Sequence, residues 1–123
     1  MIQILPLSEV PEHCELITDW LFTSFGSKNS RDFFASIVRS SLRAEGLPIT
    51  FVALQDEKPV GTVGLWRCDL ISRQDLFPWL AALYIDEGQR GQGLSVQLQR
   101  YVEDFSRQAG FKELYLYAAF ADY

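Results

Sequence analysis

The run Phe77-Pro78-Trp79-Leu80-Ala81-Ala82-Leu83-Tyr84-Ile85 does most to restrict how this chain folds. It is apolar on both sides of an extended backbone, so it reads as a central strand covered on both faces. Pro78 belongs at its entrance, because proline cannot donate to an interior ladder. The run falls well short of the roughly 20 apolar residues that a membrane-spanning helix needs. A turn rich in glycine follows, from Gly88 to Gly93. Beyond it Leu94, Leu98, Tyr101, Val102, Phe105 and Ala109 fall on one helical face, with Gln97, Arg100, Glu103, Asp104, Arg107 and Gln108 opposite. A buried strand feeding an amphipathic helix through a glycine turn points to a layered α/β fold.

The rest of the chain fits such layers. Ile2 to Leu5 reads as a strand closed by Pro6. Ser8 can cap a helix that tolerates Pro11 in its first turn, with Val10, Cys14, Ile17, Leu21 and Phe25 on its inner face. Gly26 ends it. A second helix is expected from Asn29 or Ser30, with Phe34, Ile37, Val38 and Leu42 inward, stopped by Gly46 and Pro48. Ile49 to Leu54 and Val60 to Trp66 then read as a hairpin around a five-residue loop, Gln55 to Pro59. After Gly110, Glu113 to Tyr117 makes a fifth strand. The expected architecture is mixed α/β, α+β-like in its element order: a central sheet of about five strands with helices on both faces.

Composition narrows the classes. The chain has 123 residues, 48% of them apolar and 22% charged, as expected of one domain over residues 1–123 that buries about two-thirds of its unfolded surface. Eleven Lys and Arg against sixteen Asp and Glu leave a formal charge of −5, the wrong sign for a surface that displaces counterions from nucleic acid. Cys14 and Cys68 have no neighbours at metal-ligand spacing, and the single His13 completes no zinc signature, so no metal is expected. The first residues carry neither the basic region nor the small-residue cleavage site of a secretory signal. A cytoplasmic protein with two reduced thiols and no membrane partner is the expectation.

The turn Asp86-Glu87-Gly88-Gln89-Arg90-Gly91-Gln92-Gly93-Leu94-Ser95 can be a phosphate cradle or a plain strand-to-helix connection. The first turn of a helix offers uncapped N–H groups and a partial positive charge, and Gly91 and Gly93 let a ligand approach the backbone. Arg90 can add a cationic donor. A P-loop would need lysine where Leu94 stands, and the dinucleotide fingerprint fails at Val96. Arg90-Gly91-Gln92-Gly93-Leu94-Ser95 instead resembles the R/Q-x-x-G-x-G/A acetyl-CoA motif of the GNAT acetyltransferase superfamily. The stretch from Pro78 to Tyr117 is similar to that family in its order: apolar strand, acidic turn, Arg-Gly-x-Gly core, amphipathic helix, Gly-Phe and a short strand. Gly61-Thr62-Val63-Gly64-Leu65 likewise resembles its third strand.

That resemblance implies an N-acetyltransferase moving an acetyl group from acetyl-CoA to an amine of a small molecule or peptide by direct attack. The alternative it leaves is a noncatalytic acyl-CoA-binding domain. It implies that the backbone of Leu83, Tyr84 and Ile85 pairs with the pantetheine arm, and that Arg90, Gly91, Gln92, Gly93, Leu94 and Ser95 hold the pyrophosphate. Ser95 departs from the usual Gly or Ala. Asp69, just after the third strand, is the candidate base, against a plain reading as a solvated loop aspartate. Trp66 and Trp79 can line an acceptor pocket or simply be core. Glu87 reads as a turn residue, Tyr117 and Tyr123 fall outside the family's tyrosine position, and His13 is given no role. The chain is short of the family's usual C-terminal helix and strands. An edge strand left by that shortness is expected to pair in a homodimer through the fifth strand or the tail Ala118 to Tyr123.

Overall fold

The computed structural model describes residues 2–26, 31–42, 46–67 and 77–116. Its elements are β1 (Ile2–Pro6), α1 (Cys14–Phe25), α2 (Arg31–Ser40), β2 (Ile49–Gln55), β3 (Lys58–Trp66), β4 (Trp79–Ile85), α3 (Leu94–Gln108) and β5 (Tyr115–Leu116). They form a five-stranded sheet in chain order. The pairs from β1 to β4 are antiparallel, and β4 pairs with β5 in parallel.

Helices cover both faces. On one, Leu94, Leu98 and Val102 of α3 bury against Phe51, Ala53, Val63, Leu65, Leu80 and Ile85. On the other, Ile17 and Leu21 of α1 and Phe34 and Val38 of α2 close over Val52, Leu54, Trp66 and Ala81. The middle strands thus give residues to both layers, which explains why β3 is buried from Pro59 to Trp66 and β4 is apolar on both faces. Arg31, at the start of α2, bridges Glu15 and Asp19 of α1 at 2.9 and 2.8 Å. These exposed pairs orient the two helices more than they stabilise them.

Four details differ from the sequence expectation. Two short 3-10 turns, Leu7–Glu9 and Pro11–His13, precede α1, and Ser8 caps nothing. The proline at the start of the second turn explains why the α-helix begins only at Cys14. Phe25 and Ala109, expected inside, are exposed. The hairpin loop has two residues, not five: Gln55 pairs with Lys58, and Asp56 and Glu57 both take positive φ, 52° and 68°. A bulge between Ala53 and Leu54 lets Pro59 join the strand where the ladder is already irregular. Finally, β5 is only Tyr115–Leu116 among the described residues.

Candidate functional site

Strand β4 is irregular in its pairing with β3. Thr62 pairs with Tyr84 and Gly64 with Ala81, so Ala82 and Leu83 together face Val63. That is a β-bulge, which frees main-chain groups from the ladder and redirects side chains. Ala82 holds φ at +52°, a left-handed conformation that costs a non-glycine residue about 1–3 kcal/mol. As a result Ala81 and Ala82 both turn toward α1 and α2, while Leu83 and Ile85 turn toward α3. Pairing of β4 with β5 covers Trp79↔Tyr115 and Leu80↔Leu116 among the described residues. The bulge lies just past the last of these pairs along β4.

The end of β4 is fixed to its neighbour before the turn begins. The Asp86 N–H donates to the Val60 carbonyl at 2.9 Å, and one 3-10 turn, Glu87–Gln89, reverses the chain. Gly91 and Gly93 then take φ of +81° and +80°, and a Cβ built on either meets no atom within 4 Å. The glycines are therefore needed for backbone conformation and for the open space beside it, not for packing within the fold. Gly93 is the N-cap of α3, no side chain caps that helix, and its first internal bond is Gln97 N–H to the Gly93 carbonyl at 3.2 Å. An uncapped helix start beside open space suits a pyrophosphate.

Arg90, the sequence's candidate phosphate donor, is exposed and turns back along β4. Its Nε donates to the Ile85 carbonyl at 2.9 Å, and its guanidinium lies 5.5 Å from the centre of the Tyr84 ring. Tyr84 in turn lies 5.0 Å from Trp20 of α1, tilted by 38°. Leu94 and Ser95 are buried at the first turn of α3, and Gln92 is exposed. Trp66 and Trp79 are core residues, 5% and 3% exposed. The Trp66 indole N–H reaches the Thr50 hydroxyl at 3.3 Å. His13 lines a shallow cleft of about 350 Å³ with Gln3, Leu5, Val10, Glu12, Leu54 and Glu57, at the β1 side of the sheet. Asp69, Cys68, Tyr117, Tyr123 and the tail lie outside the described residues.

A family profile, the Acetyltransferase (GNAT) family, matches residues 12–122. The chain belongs to the GNAT acetyltransferase family. Solved structures carry the same fold. The aminoglycoside N-acetyltransferase AAC(6')-Iy in complex with CoA matches with a TM-score of 0.74 and 18% identity, over 97% of this chain and 78% of that one. A predicted acetyltransferase from Clostridium acetobutylicum with acetyl-CoA matches with a TM-score of 0.74 and 12% identity, over 100% and 92%. An aminoglycoside acetyltransferase from an uncultured soil metagenomic sample, in complex with sisomicin, gives 0.64 and 20%, over 96% and 76%. No curated relative matches significantly in sequence. Among the described residues, no helix of this GNAT domain is long and apolar enough to cross a membrane, and no group of three His, Cys, Asp or Glu is placed to hold a metal ion.

Among the described residues, three titratable groups are displaced. Burial pushes the Cys14 thiol up, helped by Glu15 and Glu12. Burial likewise raises the Tyr101 hydroxyl, with Glu9 adding to it. Hydrogen bonds to Asp19 and Glu15 hold the Arg31 guanidinium protonated still more firmly. None of the three lies in the turn. The sequence had marked the turn but not the β4 bulge, nor the Trp20–Tyr84 contact, because neither has a local signal: Ala81-Ala82-Leu83 contains no glycine, and Trp20 lies outside the helical stripe that defined α1.

Proposed function

We propose that this protein transfers an acetyl group from acetyl-CoA to a primary amine of a small molecule. The observation that carries the reading is the pair of left-handed glycines, Gly91 and Gly93, with open space beside them at the uncapped start of α3. Its neighbours in fold include structures with CoA, acetyl-CoA and the aminoglycoside sisomicin, which supports an acyl-CoA donor and a cationic amine acceptor. A surplus of acidic residues suits such an acceptor.

In this reading the main chain of Arg90 to Ser95 receives the pyrophosphate. The thioester reaches the stretch from Leu83 to Ile85, where a main-chain N–H polarises its carbonyl. The amine must first lose a proton, the task assigned to Asp69. Its lone pair then attacks the thioester carbon and forms the C–N bond, the C–S bond breaks, and the sulfur leaves as a thiolate that takes up a proton equivalent to the one the new amide nitrogen gives up. The reaction is placed in the cytoplasm.

Isothermal titration with CoA, followed by thiol release from acetyl-CoA with a panel of amines including aminoglycosides, tests it. Binding with amine-dependent release is expected. Binding without release from any amine would favour a noncatalytic acyl-CoA-binding domain, and no binding would overturn both.

A further inference from the structure

The stack Trp20–Tyr84–Arg90 joins three elements: helix α1, strand β4 and the glycine turn. Each contact is of an ordinary strength. A cation over an aromatic ring and a charged donor to a carbonyl each contribute modestly, yet together they fix one side chain in two directions. Arg90 has to turn back along β4 to reach the Ile85 carbonyl, and that same turn lays its planar guanidinium across Tyr84. Trp20 backs the same phenol ring from the α1 layer.

We propose that Arg90 is a positioning residue rather than an ionic ligand of the pyrophosphate: it ties the glycine turn to the end of β4 and, through Tyr84, fixes Trp20 as a wall on the α1 side of the bulge. This rests on the reading of the turn as a CoA site and assigns one residue of that site a different task. A planar fork that satisfies a carbonyl and covers a ring is a job for arginine and not for lysine. The main-chain donors of Gly91 to Ser95 are then held in place before any phosphate arrives, which reduces the ordering cost of binding.

The test uses Arg90→Lys, Arg90→Gln, Tyr84→Leu and the double variant Arg90→Gln/Tyr84→Leu. CoA affinity is measured by calorimetry at low and high salt. The near-ultraviolet circular dichroism of Trp20 is read without ligand, as the difference between each protein and its Trp20→Phe counterpart. Both Arg90 variants are expected to lose about three- to tenfold in CoA affinity with an unchanged salt dependence, the lysine no better than the glutamine. Both are also expected to flatten the Trp20 signal. The double variant should lose little more than either single one, as residues acting as one unit do. The proposal is overturned if lysine preserves affinity, if glutamine lowers the salt dependence while leaving the ligand-free Trp20 signal intact, or if the Arg90 and Tyr84 effects simply add. Should the parent bind no CoA, the site reading fails, while the ligand-free signal still decides whether Arg90 sets Trp20.

Discussion

The indole of Trp66 lies across the backbone of Gly64, two residues earlier on β3, so closely that a Cβ on Gly64 would overlap the ring. From there the indole N–H reaches Thr50, which also shares a 2.8 Å hydrogen bond with Ser41 below α2. A single missing methyl on β3 therefore sets the seat of the largest side chain under the helix pair.

Gly64→Ala is accordingly expected to destabilise the fold by about 1–3 kcal/mol, because the ring must leave a packed site and gives up a buried hydrogen bond. Urea denaturation followed by circular dichroism measures it. A change within error would show that the ring repacks without cost.

Gly93→Val is expected to weaken CoA binding by about 1–3 kcal/mol, through loss of close approach and of backbone donors. Its Cβ meets nothing within the fold, so the effect on stability is confined to the left-handed φ of +80°. That strain is about 1–2 kcal/mol. Calorimetry on a variant that still melts cooperatively separates the two; unchanged affinity would remove the turn from the site.

The contrast between these glycines marks what the sequence makes legible. The motif from Arg90 to Ser95 is contiguous, and its glycines serve a local conformation, so the turn is readable from the chain alone. Gly64 serves a ring, and the β4 bulge serves a register with β3; both depend on partners that spacing does not encode. Periodicity told which side Phe25 points to, yet not whether the opposing layer extends that far, and it is 39% exposed. The hairpin loop is shorter than the sequence implies for a related reason. Pro59 signals a loop, but a bulge can absorb it.

Asp69→Asn is expected to lower turnover far more than it raises the CoA dissociation constant, because a base acts on the amine and not on the donor. A pH–rate profile provides the check. An acidic limb identical in variant and parent would reject Asp69 as the base.

A homodimer is expected, joined at the β5 edge of the sheet. Strand β5 stands last in the sheet order among the described residues, and the sequence around it alternates Leu114 and Leu116 with Tyr115 and Tyr117. Aliphatic and aromatic edges tend to pair with a second chain. Static light scattering over a concentration series reads the mass directly, and a monomer throughout would exclude this pairing.

Alkaline pH should destabilise the protein through two protons that the fold holds more tightly than the unfolded chain does. Tyr101 packs its ring edge-on against Phe51 at 5.2 Å, and burial holds its hydroxyl protonated above the usual range. The folded state therefore binds this proton more tightly than the unfolded chain, in which tyrosine titrates near about pH 10. Stability is then complete below that value and drains away as pH rises through the higher folded value. The raised Cys14 thiol acts in the same direction from about pH 9. Melting temperatures measured between pH 7 and 11 are expected to hold and then fall above about pH 9, and Tyr101→Phe, which keeps the ring and removes the proton, should flatten the upper part of the fall. An identical slope in Tyr101→Phe would assign the alkaline loss to other groups and leave the Phe51 contact a matter of packing alone.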